Sequence, residues 1–258
     1  MTFAVPAQAY DRLVGRYSYD LCDALARAAG IAPEARVLDV GAGTGAGTHR
    51  LVELVGASRV AAVDPSEPFV EALRNRLPGV DVRQASAESL PIDDGSFDAE
   101  LAQLGVNFMA DPAAGVAEMR RVARPGGVAA ACVWDYAGEM TLLRAFWDAA
   151  ADLDPGGVAD VDERTRMRFR GEGELAALWR DAGLRDVAGG ALVVSARYES
   201  FDDAWEPFTA GVAPSGAYTV SLDDDGREAL RAEYRRRLGA LDGGFELSAR
   251  AWYAVGTR

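Results

Sequence analysis

Short apolar runs alternate with amphipathic stretches through the first half of the chain. The apolar runs predict five strands, at residues 36–40, 59–63, 80–84, 97–103 and 127–134. Apolar positions at helical spacing predict helices at about 18–29, 45–55, 67–76 and 112–122. Strands and helices that alternate in this way are typical of a parallel sheet with helices on both faces.

Beyond Trp134 the strict alternation of strand and helix ends. Helices are predicted at about 139–151, 172–182, 202–212 and 223–238, and two further strands at 185–196 and 245–255. The stretch between those two strands is longer than a hairpin needs, so we interpret it as a helical cap.

The chain contains no internal repeat and no low-complexity linker, which predicts a single domain over residues 1–258. Within it we expect an N-terminal helical lid at 1–30 and a cofactor-binding core at 31–136. Residues 137–258 are expected to form the substrate cap and the C-terminal strands.

A glycine-rich turn, Gly41-Ala42-Gly43-Thr44-Gly45, follows the first predicted strand. Glycine lets the backbone turn sharply and lie against a ligand, because it has no side chain to occupy the ligand's space. Asp64 ends the second predicted strand, where an acid can bind the two hydroxyls of a ribose. Together these features predict a cofactor that contains a nucleoside.

Two kinds of cofactor fit this pattern. The turn loosely matches the Gly-x-Gly-x-x-Gly/Ala pattern of a dinucleotide site, and Asp64 lies at about the right distance from it. Asp39 precedes the first glycine by two residues, and its carboxylate would repel a pyrophosphate at the helix N-terminus. A cofactor with a sulfonium and an ammonium group would tolerate that charge. Asp39 therefore favours S-adenosylmethionine over a nicotinamide dinucleotide.

At these residues the chain resembles the class I S-adenosylmethionine-dependent methyltransferases, and the similarity continues downstream in the family's order. The matching segments are Val37 to Gly45, Val63-Asp64-Pro65-Ser66, Gln84 to Pro91, Ser96-Phe97-Asp98, Ala102-Gln103-Leu104 and Arg124-Pro125-Gly126-Gly127. The similarity covers residues 10–135 well, and it is greatest to the branch typified by ubiquinone- and menaquinone-biosynthesis enzymes. It implies an α/β fold with a Rossmann-like, seven-stranded, mostly parallel sheet, helices on both faces and a helical cap.

The resemblance also implies which residues bind the cofactor. They are Asp39, Gly41, Ala42, Gly43, Asp64, Pro65, Ser66, Ala87, Glu88 and Gln103. In related enzymes an N-terminal helix contributes a tyrosine or an arginine near the cofactor carboxylate, which makes Arg16 and Tyr17 candidates. The alternative is that these two side chains pack in the core or are solvated.

The substrate is expected among the aromatic side chains, because all five tryptophans lie in the second half of the chain. The candidates for an apolar pocket are Phe108, Trp134, Tyr136, Trp205 and Tyr218. The alternative is that large aromatic residues such as these fill the core.

The sequence does not identify a catalytic base. His49 is the only histidine and is expected on an exposed helix face, which leaves Asp135, Tyr136, Glu139 or Tyr218 as possible bases.

Composition narrows the range of partners. Forty acidic against 27 basic residues give a formal net charge of −13, which argues against nucleic acid as the substrate. No apolar run reaches the roughly 20 residues that span a bilayer, and no signal peptide is recognisable, so we expect a cytoplasmic protein. Cys22 and Cys132 are expected as buried, reduced thiols, and we expect no metal.

The sequence thus predicts S-adenosylmethionine-dependent methyl transfer to an oxygen, carbon or nitrogen of a small, largely apolar acceptor. A protein that keeps the fold and binds the cofactor without transferring a methyl group, as a binding module or a cyclisation catalyst, is an alternative. A nicotinamide-dependent oxidoreductase is less favoured, because the chain contains no lysine and therefore no tyrosine–lysine catalytic pair. The oligomeric state is not predicted.

Overall fold

A computed structural model describes residues 12–239 and 243–258, so residues 1–11 of the expected lid lie outside the described residues. The described strands are β1 (Val37–Val40), β2 (Val60–Asp64), β3 (Asp81–Gln84), β4 (Phe97–Gln103), β5 (Ala123–Trp134), β6 (Arg185–Tyr198) and β7 (Phe245–Thr257). They form one sheet in the order β3-β2-β1-β4-β5-β7-β6. Strands β1 to β5 pair in parallel, and β7 runs antiparallel to β5 and β6. The predicted Rossmann-like, seven-stranded, mostly parallel sheet is confirmed.

Helices connect the strands and cover the sheet. In chain order they are α1 (Ser18–Ala28), α2 (Ala46–Val55), α3 (Glu67–Arg76), α4 (Pro112–Val122), α5 (Thr141–Leu153), α6 (Pro155–Val158), α7 (Glu163–Arg166), α8 (Glu174–Asp181), α9 (Phe201–Thr209), α10 (Ala213–Ser221) and α11 (Asp224–Leu238). None of the helices in the described part of the chain has the length and apolar character needed to cross a membrane.

The two faces of the sheet bury separate groups of side chains. On one face, Leu25 of α1 and Leu51 of α2 join the core that continues into the C-terminal helices. On the other face, Met119 of α4 packs in a second cluster with Trp179 of α8. Since both faces are covered, the carboxyl ends of the strands are where a ligand can reach the sheet.

Helix α10 was not predicted, and the predicted helix at 202–212 ends three residues early, at Thr209. The residues that α10 buries are small, Ser215, Gly216 and Thr219, and the Thr219 hydroxyl donates to the Ser215 carbonyl at 2.9 Å. An inward face of small polar residues produces no apolar periodicity, so the sequence pattern could not reveal this helix. The short helices α6 and α7 were missed as well, because four residues are too few to show a period.

Strand β5 begins at Ala123, four residues earlier than predicted. Phe97 pairs with Ala123 but Ala99 pairs with Val128, so the residues between Ala123 and Val128 bulge out of the ladder. Gly126 lies in this bulge with a φ of 81°, a conformation that favours glycine. The matching segment Arg124-Pro125-Gly126-Gly127 therefore bulges within β5 instead of preceding the strand.

Candidate functional site

A cavity of about 660 Å³ opens at the carboxyl ends of β1, β2 and β4. We call it the main cavity. It is lined by Ser18, Asp39, Gly41, Ala42, Gly43, Thr44, Ala46, Gly47, Asp64, Pro65, Ser66, Pro68, Phe69, Ser86, Ala87, Glu88, Gln103, Leu104, Gly105, Phe108, Met109 and Ala110. Ten of the twelve predicted cofactor residues are in this lining, which leaves out only Arg16 and Tyr17.

The glycine turn forms one wall of the main cavity. Gly41, Gly43 and Gly45 all have positive φ, at 74°, 55° and 90°. At Gly45 a Cβ would come within 2.1 Å of Leu73 Cδ1, so both the backbone angle and the packing of α3 require glycine. The turn therefore presents backbone, with little side chain, to the cavity.

Asp64 ties this turn to the end of β2. Its Oδ2 accepts a hydrogen bond from the Gly43 amide at 2.8 Å, and its Oδ1 accepts one from the Ser66 amide at 2.8 Å. Burial raises the pKa of Asp64, and the two backbone donors oppose that shift. An ionised carboxylate has about four acceptor sites, so these two bonds leave capacity for the hydroxyls of a ligand.

Asp39 and Gln103 place two acceptors in the same part of the cavity. Asp39 is buried and its Oδ2 accepts a hydrogen bond from the Thr48 hydroxyl at 2.6 Å. The Gln103 amide donates to the Ser18 carbonyl at 3.0 Å, while its Oε1 is buried without a partner among the described residues. A Cβ built on Gly47 would lie 3.5 Å from Gln103 Oε1 and 3.6 Å from Asp39 Oδ2. The two oxygens therefore converge on the space in front of Gly47.

The environment of Asp39 alters its ionisation. Burial raises the pKa of its carboxyl to about 6, and the Thr48 hydrogen bond acts in the opposite direction. At neutral pH the group is still mostly ionised. A cation placed beside it would favour the carboxylate further.

The loop after β4 meets the loop after β1 at close range. A Cβ on Gly105 would lie 3.4 Å from the Val40 carbonyl oxygen and 3.9 Å from Gly41 Cα, so the two loops are in van der Waals contact at this position. Leu104, next to it, has a φ of 61°, an uncommon angle for a residue other than glycine. Leu104 belongs to the matching segment Ala102-Gln103-Leu104, whereas Gly105 was not predicted, although its position directly after that segment at a strand end could have indicated it.

Arg16 does not reach the main cavity. Its guanidinium forms a two-point ion pair with Asp203, donates to the Arg197 carbonyl at 3.1 Å and lies 4.7 Å from the centre of the Tyr198 ring. The structure therefore does not place Arg16 where a cofactor carboxylate was expected, and Asp203 of α9 already neutralises the charge of its guanidinium.

Tyr17 is likewise kept away from the main cavity by its contacts with other residues of the chain. Its side chain is fully buried, and its hydroxyl lies 3.2 Å from the hydroxyl of Tyr198 on β6. Burial raises the pKa of both phenols. Tyr17 thus fastens the N-terminal helical segment to the C-terminal sheet, which is the packing alternative considered for this residue.

A smaller hollow of about 40 Å³ adjoins the main cavity, and the two share Leu104 and Phe108. We call it the aromatic hollow. It is lined by Leu13, Val14, Leu104, Phe108, Trp134, Tyr136, Leu143, Glu163, Ala213 and Pro214. Phe108, Trp134 and Tyr136 were predicted to line an apolar pocket, and the structure places all three here.

Trp205 and Tyr218 line neither of the two cavities. Trp205 is buried with its ring 6.1 Å from that of Tyr234, and Tyr218 lies 5.8 Å from Trp147. The structure does not bring these two rings to either cavity, because Trp205 packs α9 against α11 and Tyr218 packs α10 against α5.

Glu163 also lines the aromatic hollow, and sequence reasoning did not predict it there. It is 3% exposed, and the indole Nε1 of Trp147 donates to its Oε2 at 3.0 Å. Burial raises the pKa of Glu163 to about 7, with the Trp147 hydrogen bond opposing the shift. Glu163 lies in a segment rich in arginine and aspartate, where a glutamate is usually solvated, so the local sequence did not indicate its burial.

Two of the candidate bases are already paired. Arg250 donates to Asp135 Oδ2 through Nη2 at 2.6 Å and to Glu139 Oε1 through Nη1 at 3.1 Å. Asp135 also caps the backbone amides of Gly138 and Glu139. This arrangement gives both acids a structural role at the turn between β5 and α5.

Within the described part of the chain no group of three or more His, Cys, Asp or Glu side chains is placed to hold a metal ion. Cys22 and Cys132 are both free and buried, as expected.

Comparison with known proteins agrees with this geometry. Residues 38–131, from β1 through most of β5, match the family model described as "Methyltransferase domain". An uncharacterized methyltransferase of Mycobacterium tuberculosis is 42% identical over 129 residues, which are 49% of this chain and 49% of the relative. A demethylmenaquinone methyltransferase of Clavibacter sepedonicus is 39% identical over 107 residues, 40% of this chain and 43% of the relative.

The chain spans about half the length of the curated relatives it matches. Among solved structures, a SAM-dependent methyltransferase of Thermotoga maritima matches with a TM-score of 0.56 and 21% identity. That alignment covers 97% of this chain and 95% of the solved one, so the similarity in fold extends well beyond residues 38–131.

Proposed function

Because residues 38–131 carry a methyltransferase domain, we propose that this protein uses S-adenosylmethionine to methylate a small, largely apolar acceptor. The receiving atom is an oxygen, a carbon or a nitrogen. Residues 31–136 bind the cofactor, and the segment from 137 onward contributes to the acceptor side.

The convergence of Asp39 Oδ2 and Gln103 Oε1 on the space before Gly47 carries this proposal. Gln103 Oε1 is a buried acceptor without a partner among the described residues, and such an atom costs stability unless a ligand supplies a donor. The ammonium group of S-adenosylmethionine has three donors and a positive charge that suits Asp39. A pyrophosphate has neither, so the same pair of oxygens disfavours a nicotinamide dinucleotide.

The remainder of the main cavity fits the nucleoside half of the cofactor. Asp64 has acceptor capacity for the ribose hydroxyls, and Pro65 and Ser66 continue the wall beside it. Ala87 and Glu88 line the cavity farther along, where the family resemblance assigns the adenine. The cavity volume of about 660 Å³ lies within the usual range of roughly 300–1,000 Å³ for small-molecule sites.

S-adenosylmethionine, when bound, supplies a methyl group that its positively charged sulfur makes electrophilic. The residues of this chain have to hold the acceptor atom near that methyl group and keep water away from it. Leu104, Phe108 and Met109 give the cavity apolar walls on the β4 side, next to the aromatic hollow.

Three observations support a small, largely apolar acceptor. The aromatic hollow, which shares Leu104 and Phe108 with the main cavity, is lined mainly by aliphatic and aromatic side chains. The formal charge of −13 opposes approach of a phosphate backbone, so a nucleic acid is disfavoured. The relative from Clavibacter sepedonicus is named for a quinone-type acceptor, and its similarity is consistent with this class.

Titration calorimetry with S-adenosylmethionine, S-adenosylhomocysteine and NADH tests the cofactor. We expect both adenosyl compounds to bind and NADH not to bind. Binding of NADH alone would indicate an oxidoreductase, and binding of none of the three would contradict the proposal.

Transfer of radiolabelled methyl groups to a panel of phenols, quinols and amines tests the activity. Labelled product is expected with at least one acceptor. Tight cofactor binding without any transfer would instead favour a methyltransferase-fold protein that serves as a binding module or a cyclisation catalyst.

A further inference from the structure

The aromatic hollow contains a buried hydrogen-bond donor without a partner. Trp134, at the end of β5, is 2% exposed, and its indole Nε1 has no hydrogen-bond partner in the described part of the chain. The Tyr17 ring packs edge-on against Trp134 at 5.7 Å and holds the indole in place. An indole N–H can only donate, so a ligand that satisfies it must offer an acceptor atom.

The same hollow contains one buried carboxyl group, Glu163 of α7. Trp147 Nε1 donates to its Oε2 at 3.0 Å and thereby fixes its orientation. A carboxylate has about four acceptor sites, so this bond leaves Glu163 able to accept a proton from a ligand. The hollow thus pairs a donor with a proton acceptor between apolar walls.

The charged groups around Glu163 are largely engaged with one another. On its own helix, Arg164 pairs with Asp162, and it also contacts Asp148 of α5. From the other described elements that pack against it, the ionisable groups that line the hollow or contact the Trp147 ring are the phenols of Tyr136 and Tyr218. Burial, with the charge of Asp162 as a smaller contribution, raises the pKa of Glu163 to about 7, the range that suits proton transfer at neutral pH.

We propose that Glu163 is the general base of the methyl transfer and that Trp134 Nε1 hydrogen-bonds the acceptor oxygen, which belongs to an aromatic hydroxyl group. This rests on the proposed function. The hollow of about 40 Å³ admits a hydroxyl-bearing edge, and the adjoining main cavity holds the rest of the ring.

The chemistry of the acceptor follows from the pair of groups. An aromatic amine is neutral at pH 7 and needs no base before it attacks, and a carboxylate would be repelled by Glu163. An aliphatic amine is protonated at this pH and has no lone pair to accept a hydrogen bond from Trp134 Nε1. A flat ring suits the walls formed by Phe108, Trp134 and Tyr136. An aromatic hydroxyl can donate to the carboxylate and accept from the indole at the same oxygen, so it satisfies both groups at once.

The proposed step balances without any further reactant. The hydroxyl oxygen forms a bond to the methyl carbon while the carbon–sulfur bond breaks and its electron pair stays on sulfur. The hydroxyl proton moves to the carboxylate of Glu163, which later releases it to solvent. The products are the aryl methyl ether and neutral S-adenosylhomocysteine.

The first test measures binding and needs no turnover. In the presence of S-adenosylhomocysteine, the affinities of 2-naphthol and naphthalene are compared for wild type, Glu163→Gln and Trp134→Phe. We expect each substitution to weaken the binding of 2-naphthol about tenfold and to leave the binding of naphthalene unchanged. Only 2-naphthol has a hydroxyl that can hydrogen-bond to Glu163 and Trp134. Glu172→Gln, an exposed glutamate, and Trp252→Phe, an indole outside the hollow, are the matched controls.

The second test measures methyl transfer to 2-naphthol between pH 5.5 and 9. The wild-type rate should rise through about pH 7 and then level off, because the ionised form of Glu163 is the active one. Glu163→Gln should lower kcat about 100-fold or more and remove this rise, with the KM for S-adenosylmethionine unchanged. Glu163→Asp, which keeps the carboxyl, should recover part of the rate.

The outcomes separate the two levels of the proposal. Failure of wild type to bind S-adenosylmethionine contradicts the proposed function itself. Cofactor binding with no binding of 2-naphthol, or with Glu163→Gln retaining the wild-type kcat and pH profile, overturns this inference alone. A hollow that holds only structural water would show lower melting temperatures for both variants with no change in affinity for 2-naphthol, and that result also overturns it.

Discussion

The hydroxyl of Thr48 donates a 2.6 Å hydrogen bond to Oδ2 of Asp39 and so joins the first turn of α2 to the end of β1. Both residues are buried, and Asp39 has a pKa raised to about 6 by that burial. The bond orients the carboxylate toward the main cavity and moderates the pKa shift. Thr48 lies outside the glycine turn, yet it orients the Asp39 carboxylate to which we assign the selection of the cofactor.

The affinity for S-adenosylmethionine should increase as the pH rises from 5 to 7. A cation binds the ionised form of Asp39, so binding releases the proton that the free protein holds below about pH 6. The expected gain is about 3- to 10-fold, since one proton gives at most tenfold per pH unit. Calorimetry at several pH values measures it.

The Asp39→Asn variant should bind S-adenosylmethionine more weakly than wild type, and its affinity should not depend on pH between 5 and 7. Thr48→Val removes the opposing hydrogen bond and should move the midpoint to higher pH. An unchanged profile in Asp39→Asn would exclude Asp39 as the titrating group.

Gly47→Ala should separate cofactor binding from folding. The new methyl group meets only ordinary contacts, at 3.5 Å or more, and alanine favours a helix over glycine by up to about 1 kcal/mol. We expect unchanged or higher stability. The methyl group fills the space between Asp39 and Gln103, so the affinity for S-adenosylmethionine should fall at least tenfold.

Gly156→Ala is the matched control, because Gly156 is an exposed helical glycine outside both cavities. It should leave cofactor affinity unchanged. If Gly47→Ala bound the cofactor like wild type, the ammonium site would have to lie elsewhere.

Asp64→Ala should weaken cofactor binding by about 1–3 kcal/mol, the cost of leaving partner hydrogen bonds unmade. It also removes the acceptor of the Gly43 and Ser66 amides, so a lower melting temperature is expected. Binding of adenosine, which contains the ribose but not the methionine part, should weaken in parallel. Full retention of adenosine affinity would remove Asp64 from the ribose site.

Glu100→Gln should make folding stability less dependent on pH. Glu100 is fully buried on β4 with neither carboxyl oxygen hydrogen-bonded among the described residues, and burial raises its pKa to about 9. The raised value means that the folded protein retains a proton that the unfolded chain releases above about pH 4.5. The wild type therefore loses stability as the pH rises from about 4.5 to 9.

Glutamine does not ionise, so Glu100→Gln does not lose stability in this way as the pH rises. At pH 7 it should be more stable than wild type by about 2–3 kcal/mol, and near pH 4.5 the two should be similar. Urea unfolding across this range measures the difference. A constant difference at all pH values would show that Glu100 is ionised in the folded protein.

Arg16→Met should lower the melting temperature while leaving the affinity for S-adenosylmethionine unchanged. The substitution removes the ion pair with Asp203 and the contact with the Tyr198 ring, both partly exposed. Such contacts are worth about 1 kcal/mol together. A clear loss of cofactor affinity at unchanged stability would restore Arg16 to the binding site.

Most of the sheet, and the residues that line the main cavity around the glycine turn, could be predicted from sequence. Their signals are local: apolar runs for buried strands, glycines for a turn with positive φ, and acids at strand ends. The bounds of α3 and α4 were predicted as observed, since Pro68 and Pro112 mark first turns and the apolar positions recur regularly. The loop residue Gly105 was missed because closeness to β1 is a property of the folded sheet.

The lining of the aromatic hollow was predicted less well, because burial alone does not show which aromatic side chains face a cavity. Trp134 and Trp205 look alike as buried aromatics in sequence, yet one lines the aromatic hollow and the other packs against Tyr234. Arg16 and Asp203 are 187 residues apart in the chain, and no local pattern can indicate such a pair.

The sequence by itself determined the order of strands and helices, the glycine turn and the two acids, because each depends on neighbouring residues along the chain. Only the tertiary structure decided that Gln103 Oε1 faces Asp39 across Gly47, and that Glu163 lies buried in the hollow next to Trp134. Those relationships arise when distant segments pack together, and it is that packing which removes water from a carboxyl group and shifts its pKa.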